Sequence, residues 1–210
     1  MKITIIDYKM GNHFSLINAL KFCEVDFNVS NDPKVIRKSD ILLLPGVGSF
    51  KTGMKNLSEL NLIEEIREHV DKNKKILGIC IGMQLLLNES DEFGLSKGLG
   101  LIEGEVKRLP ENNINGTRNL IPNVSWNKIN ENKLSEKNNF LKNINKNNFY
   151  YFVHSYYANL KNKSNVIAYS KFYNFEYAAI ISKNNIFGTQ FHLEKSGSEG
   201  IKLLKNFFLF

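Results

Sequence analysis

Lys75-Ile-Leu-Gly-Ile-Cys-Ile-Gly-Met-Gln-Leu-Leu-Leu87 is the stretch on which the fold turns. Its first part, Ile76 to Ile79, is an apolar run of buried-strand length, and Met83 to Leu87 are good helix formers. Between them, Gly78-Ile79-Cys80-Ile81-Gly82 sets a glycine on either side of a cysteine. A strand that turns at once into a helix around a nucleophile has the form of a nucleophile elbow, here with sulfur in place of a hydroxyl. The turn is tight, so bulk at either glycine is expected to clash. At a helix N-terminus the macrodipole favours thiolate over thiol, and backbone N–H groups point outward to receive an oxyanion. The plainer alternative is a cysteine buried as a small hydrophobe.

Upstream, strand-like and helical patterns alternate. Ile3 to Ile6 is a short apolar strand ending at Asp7-Tyr8, followed by helical spacing through Phe14, Ile17 and Leu20. Val25 to Val29 reads as a strand, and Asp32-Pro33 opens a short helix. The apolar strand Asp40 to Leu44 stops at Pro45-Gly46-Val47-Gly48-Ser49. Met54, Leu57, Leu60, Ile63, Ile66 and Val70 then predict one long helix. This order predicts an α/β, three-layer fold with a mostly parallel central sheet and helices on both faces. Ligands in such sheets bind beyond the carboxyl ends of the strands, so Asp7-Tyr8, Pro45 to Ser49 and Cys80 are expected on one rim.

Downstream, Gly98 to Val106 reads as a strand, and the Asn- and Lys-rich stretch 112–148, broken by Ile121 to Asn127, as surface loop. Strands are expected at Phe149 to Tyr157, Val166 to Tyr169, Ala178 to Ile181 and Ile186 to Phe191. From Ser196, the apolar stripe Ile201, Leu203, Leu204, Phe207 and Phe208 predicts an amphipathic helix. No repeat or linker interrupts the 210 residues, which predicts a single domain over 1–210.

Hydrophobic content of 42% and charged content of 23% describe an ordinary globular chain. The net charge of +7 comes from scattered lysines without an aromatic-interleaved basic stripe, so no nucleic-acid partner is expected. The charge fits solubility or attraction to an acidic partner surface. No apolar run reaches membrane-span length, the chain begins with a strand rather than a signal peptide, and Cys23 and Cys80 lie far apart. No membrane association and a cytoplasmic location are therefore expected.

An acyl-transfer cysteine needs a histidine, and the histidine needs an orienting group. His13 reads as a solvated surface residue, and His69 as structural, near a helix C-terminus where it favours the dipole. His154 fits either core or pocket. His192 follows an apolar strand, and on an extended chain Glu194, two residues on, projects to the same face and can fix its tautomer. Pro45-Gly46-Val47-Gly48 can supply oxyanion donors; without a Walker lysine it does not read as a nucleotide phosphate loop.

Together, Pro45-Gly-Val-Gly-Ser-Phe50, Gly78-Ile-Cys-Ile-Gly-Met-Gln84 and Phe191-His-Leu-Glu-Lys-Ser196 resemble the class I, triad-type glutamine amidotransferases. Ile6 to Asn12, Pro122 to Asn127 and Tyr151 to Tyr156 narrow the resemblance to the glutaminase subunit type of imidazole glycerol phosphate synthase. The resemblance implies Cys80 as nucleophile, His192 as proton shuttle and Glu194 as its orienter. It implies an oxyanion hole from the N–H groups of Val47 and Ile81, and glutamine binding by Gly46, Gly48, Gln84, Ser155 and Tyr156. It further implies ammonia transfer to a (β/α)8-barrel cyclase subunit in a heterodimer, with Asn12, Trp126 and Lys195 at the interface. Neither a cofactor nor a metal is expected. A similar glutaminase feeding a surface-sugar amidotransferase is the nearest alternative; a non-catalytic module or a stand-alone cysteine hydrolase is more remote. Four features depart from the family pattern: Lys9-Met10, Asn123, Ser125 and Leu193. Lys9, Met10, Asn123 and Ser125 are expected on partner-facing segments, and Leu193, in place of proline, to free the backbone between His192 and Glu194.

Overall fold

A computed structural model describes residues 1–132, 139–145 and 147–209. Part of the Asn-rich stretch read as surface loop, 133–138 and 146, lies outside the described residues. The first half runs β1 (Ile3–Ile6), α1 (His13–Phe22), β2 (Phe27–Ser30), α2 (Pro33–Lys38), β3 (Ile41–Leu44), α3 (Phe50–Glu59), α4 (Ile63–Asp71), β4 (Lys75–Ile79) and α5 (Ile81–Leu85). The second half contributes β5 (Glu89–Ser90), β6 (Ser96–Lys97), β7 (Gly104–Arg108), β8 (Asn123–Asn127), β9 (Asn130–Glu131), β10 (Tyr150–His154), β11 (Tyr156–Leu160), β12 (Val166–Phe172), β13 (Phe175–Lys183), β14 (Ile186–Thr189) and α6 (Gly197–Leu209).

The main sheet has the order β2-β1-β3-β4-β14-β13-β12-β9. Pairing is parallel from β2 through β14 and antiparallel beyond it. β1 and β3 are buried at every position, because a parallel strand covered on both faces has no solvent side. The period of two splits their side chains between two cores. Ile3, Ile5, Leu43, Leu77 and Ile79 face one way, with Leu16 and Leu20 of α1 and Leu203, Leu204 and Phe207 of α6. Ile6, Leu42, Leu44 and Ile76 face the other way, with Ile36 of α2, Leu57 of α3 and Ile66 of α4. The three layers expected from the sequence are present. Beside them, β11-β7-β5-β6 and β10-β8 form two smaller sheets.

Three expectations about elements need correcting. The helix expected from Met54 to Val70 is two helices. Asn61 takes a left-handed φ of 55°, Leu62 N–H donates to Leu57 O at 2.9 Å, and Asn61 N–H donates to Ser58 O at 3.0 Å. That is a Schellman ending, with the fully buried Leu57 and Leu62 supplying its apolar contact. The apolar spacing continues across the break, which hides it in the sequence. Phe149 to Tyr157 likewise divides at Ser155 into β10 and β11, which pair with different sheets. Within Gly98 to Val106, the strand begins only at Gly104.

Among the described residues, no helix is long and apolar enough to cross a membrane.

Candidate active site

The elbow forms as the glycine pattern requires. Cys80 caps α5 with φ 55° and ψ −110°, a conformation costly to a residue bearing a Cβ. The turn persists because its surroundings over-determine it. Cys80 N–H donates to Thr189 O at 2.7 Å and Gln84 N–H to Cys80 O at 3.2 Å. A Cβ on Gly82 would stand 1.7 Å from Leu44 O, and one on Gly78 would stand 2.6 Å from the Gly82 backbone. No side chain fits at either place.

The β4–β14 pairing brings the second half of the chain to this elbow. Ile79 pairs with Thr189, so Gln190 to His192 leave β14 beside Cys80. His192 donates from Nδ1 to Glu194 Oε1 at 2.7 Å, with side chains only 3% and 5% exposed. The contact expected between them is present, but not for the reason given by the sequence. Leu193–Lys195 is a single 3-10 turn, not an extended segment. Leu193 does not free the backbone either: its side chain is fully buried, and Ser196 Oγ donates to His192 O at 2.6 Å to close the turn.

His192 Nε2, buried and without a hydrogen bond of its own, is the atom left for the sulfur. Burial opposes charge on the imidazole, but its contacts with Cys80 and Glu194 outweigh that and raise its pKa to about 10. These contacts hold the ring ready as an imidazolium beside the sulfur. Glu194→Gln is expected to lower glutamine turnover by roughly 10²-fold with little loss of Tm, because the positioned proton relay is weakened while the packing stays. Steady-state rates and thermal unfolding of the same variant check this.

Cys80 and His192 open onto a cleft of about 290 Å³, a volume that suits a single amino acid. Of the residues singled out from the sequence, Val47, Gly48, Ile81, Gln84, Ser155 and Tyr156 also line it. Gly46 does not. It lies where a Cβ would stand 2.2 Å from Tyr8 Oη and 3.1 Å from Ile81 Cβ, so it serves close packing beneath the glycine loop. Asn12, Trp126 and Lys195 are outside the cleft. Asn12 caps α1 by accepting from Ser15 N–H at 3.4 Å. Trp126, 52% exposed, packs on Tyr151 at a ring separation of 5.6 Å, and Lys195 Nζ lies 5.8 Å from the same ring.

Two residues at the site, Glu92 in the cleft wall and Gln190 behind the sulfur, carried no local pattern in the sequence. Glu92, in a short irregular loop, is buried and accepts from Phe50 N–H at 2.6 Å. Gln190 is fully buried beside the sulfur. Its position just past the carboxyl end of a strand on the shared rim was the one available pointer.

His154, left open by the sequence, is both core and cleft wall. Its Nδ1 donates to Tyr156 O at 2.8 Å, so its neutral Nε2 accepts from Asn123 Nδ2 at 3.0 Å. The side chain of Asn123 therefore turns inward from its segment. It is 5% exposed and also donates to Tyr177 Oη, while Ser125 Oγ donates to Asn123 Oδ1. Along β8 the odd positions 123 and 125 turn inward, and Val124 and Trp126 turn out. Met10 is buried too, with its Cε 3.0 Å from where a Cβ on Gly48 would lie. Lys9 stays exposed at a φ of 63°. His13 is only partly exposed, with Nδ1 3.9 Å from Asp7 Oδ1, rather than a solvated surface residue.

His69 is structural, as expected, but as a neutral buried donor to Lys75 O at 3.0 Å rather than as a dipole-favoured cation. Burial lowers the pKa of both His69 and His154 to about 4. Above pH 6.5 both are neutral whether folded or unfolded, and their contribution to stability is complete. As pH falls from about 6.5 to 4 the unfolded chain protonates first, so each histidine withdraws up to about 3 kcal/mol of stability. Tm is therefore expected to fall across that window. His69→Gln, which keeps a donor for Lys75 O and cannot titrate, is expected to remove about half of the fall.

A strained cysteine elbow, a buried His–Glu pair and an amino-acid-sized cleft on a doubly wound sheet define a triad-type amidohydrolase site. The family model for class I glutamine amidotransferases matches residues 4–210, and the chain belongs to that family. Within it, the chain is 43% identical over 205 residues to the imidazole glycerol phosphate synthase subunit HisH of Geobacillus sp. (strain WCH70), covering 98% of this chain and 95% of that one. It is also 43% identical to the HisH subunit of Caldanaerobacter subterraneus subsp. tengcongensis, covering 98% and 96%. Among solved structures, a glutamine amidotransferase crystal structure matches with a TM-score of 0.72 at 16% identity over 99% of each chain, a likeness of fold.

Proposed function

We propose that this chain is the glutaminase subunit of an imidazole glycerol phosphate synthase, releasing ammonia from glutamine and passing it to a (β/α)8-barrel cyclase subunit. The observation that carries the reading is the buried His192–Glu194 pair set against the strained Cys80 elbow. The Cys80 thiolate attacks the side-chain amide carbon of glutamine, and the N–H groups of Val47 and Ile81 receive the oxyanion. His192 gives its proton to the amide nitrogen, the C–N bond breaks, ammonia leaves and a glutamyl thioester remains. Neutral His192 then takes a proton from water, and the hydroxide attacks the thioester carbon. The C–S bond breaks, returning thiolate, imidazolium and glutamate.

In this reading Gly48, Gln84, Ser155 and Tyr156 hold the amino-acid end of glutamine. The buried carboxylate of Glu92 in the cleft wall suits its ammonium group. The exposed Trp126 with Lys195, and Asn12 at the head of α1, form the docking face for the barrel. The side chains of Asn123 and Ser125 turn inward toward His154 rather than onto that face.

The test is glutamate production from glutamine by the chain alone, with the barrel cyclase, and with the cyclase carrying its nucleotide substrate. The rate is expected to be lowest alone and highest in the loaded complex. A high rate that ignores the partner would contradict ammonia delivery and favour a free-standing hydrolase.

A further inference from the structure

Gln190 is absent from the chemistry described so far, yet its side chain touches both the nucleophile and the substrate-side wall. It is fully buried, and its backbone N–H donates to Ala179 O at 2.9 Å, so its place beside Cys80 is set by the sheet. Gln84 Nε2 lies 3.0 Å from Tyr156 O and 3.0 Å from Gln190 Oε1, and Gln190 Nε2 lies 3.8 Å from Cys80 Sγ.

The direction of this chain of amides follows from one end. A backbone carbonyl can only accept, so the atom of Gln84 against Tyr156 O must be its NH₂ group. The second hydrogen of that NH₂ reaches Gln190, which must answer with its oxygen. The other end of Gln190, the one against the sulfur, is then an N–H donor. A donor there stabilises thiolate more than thiol, since a hydrogen bond to a charged acceptor is the stronger one. The same polarity leaves Gln84 Oε1 buried and without a partner, as an acceptor at the cleft wall.

We infer that Gln190 is a positioning residue that polarises the nucleophile, transmitting the fixed direction of the Tyr156 carbonyl through Gln84 to the Cys80 sulfur. The inference rests on the glutaminase reading of the site. The other titratable groups around the sulfur are His192 with Glu194 behind it, His154 from β10, Tyr156 from β11, Tyr8 after β1 and Glu92 in the cleft wall. Of these, His192 supplies the positive charge, while Tyr8 and His154 are held neutral by burial. The amide adds a dipole without adding a group that titrates.

The test uses the full chain with iodoacetamide, reading alkylation at the Cys80 peptide by mass spectrometry so that Cys23 does not interfere. Gln190→Met keeps the length of the side chain and removes donor and acceptor together; Gln190→Leu is the second variant, and thermal unfolding establishes that each is folded. At pH 7, alkylation of Cys80 is expected to slow by roughly tenfold in either variant. At about pH 10, where a thiol ionises without help, the rates are expected to converge with that of the unsubstituted chain. A merely structural role would not give that convergence. KM for glutamine is also expected to rise, because Gln84 loses one of its two anchors.

If the unsubstituted chain and a folded variant alkylate equally fast at pH 7, the role of Gln190 is overturned while the glutaminase reading stands. If Cys80 of the unsubstituted chain is itself no faster than an ordinary thiol, the activated nucleophile fails and both readings fall.

Discussion

Cys80→Ala is expected to lower glutamine-dependent synthesis by roughly 10⁴-fold or more, the scale on which enzymes lose a covalent nucleophile. The geometry leaves no substitute. Cys23 is the other cysteine; its Sγ lies 3.9 Å from Ile201 O, under α6. It packs in the core between α1 and α6, not in the cleft. A water activated by His192 would lack the thioester that divides the reaction into two easier steps. In the proposed complex, the barrel subunit supplied with ammonium salts is expected to keep its activity, because the substitution only shortens a buried side chain. Loss of both nitrogen sources together would show that the two subunits do not divide the work as proposed.

Gly82→Ala is expected to have the largest effect on stability, more than about 3 kcal/mol, with loss of glutamine turnover. The added methyl would stand 1.7 Å from Leu44 O, a backbone atom of a strand buried at every position. The elbow must then move away from β3, and two consequences follow. The packing of Ile81, Met83 and Leu85 against the second core is disturbed. The hydrogen bond from Cys80 N–H to Thr189 O, which keeps the sulfur beside Gln190 and His192, is stretched or lost. Denaturant unfolding of the variant measures the first consequence, and alkylation at Cys80 measures the second. A folded, active Gly82→Ala protein of normal stability would mean that the close approach to Leu44 is not needed.

These two substitutions probe features that the sequence displays unusually well. Strands β1, β3 and β4 are continuous apolar runs because both of their faces are covered, and the two glycines around Cys80 announce a turn with no room for side chains. Other features depend on pairings that no local pattern records. The break at Asn61 is hidden because Leu60 and Ile63 keep the helical spacing on either side of it. His192 and Glu194 could be matched by separation alone, yet they meet across a 3-10 turn rather than along an extended chain. Asn123, read as part of a partner-facing segment, turns its side chain inward because the β8–β10 register places it opposite His154. Gln190 and Glu92 are single polar residues without periodicity, and their importance shows only once β14 is laid beside β4 and Phe50 N–H is seen to need an acceptor.

The most direct measurement of the central claim, that Cys80 is made nucleophilic toward glutamine by the buried His192–Glu194 pair, is labelling of the complex with a diazoketone analogue of glutamine, followed by peptide mapping. Stoichiometric modification at Cys80 alone is expected, prevented by excess glutamine and much slower in His192→Ala. Modification elsewhere, or glutamine hydrolysis that continues with Cys80 unmodified, would contradict it.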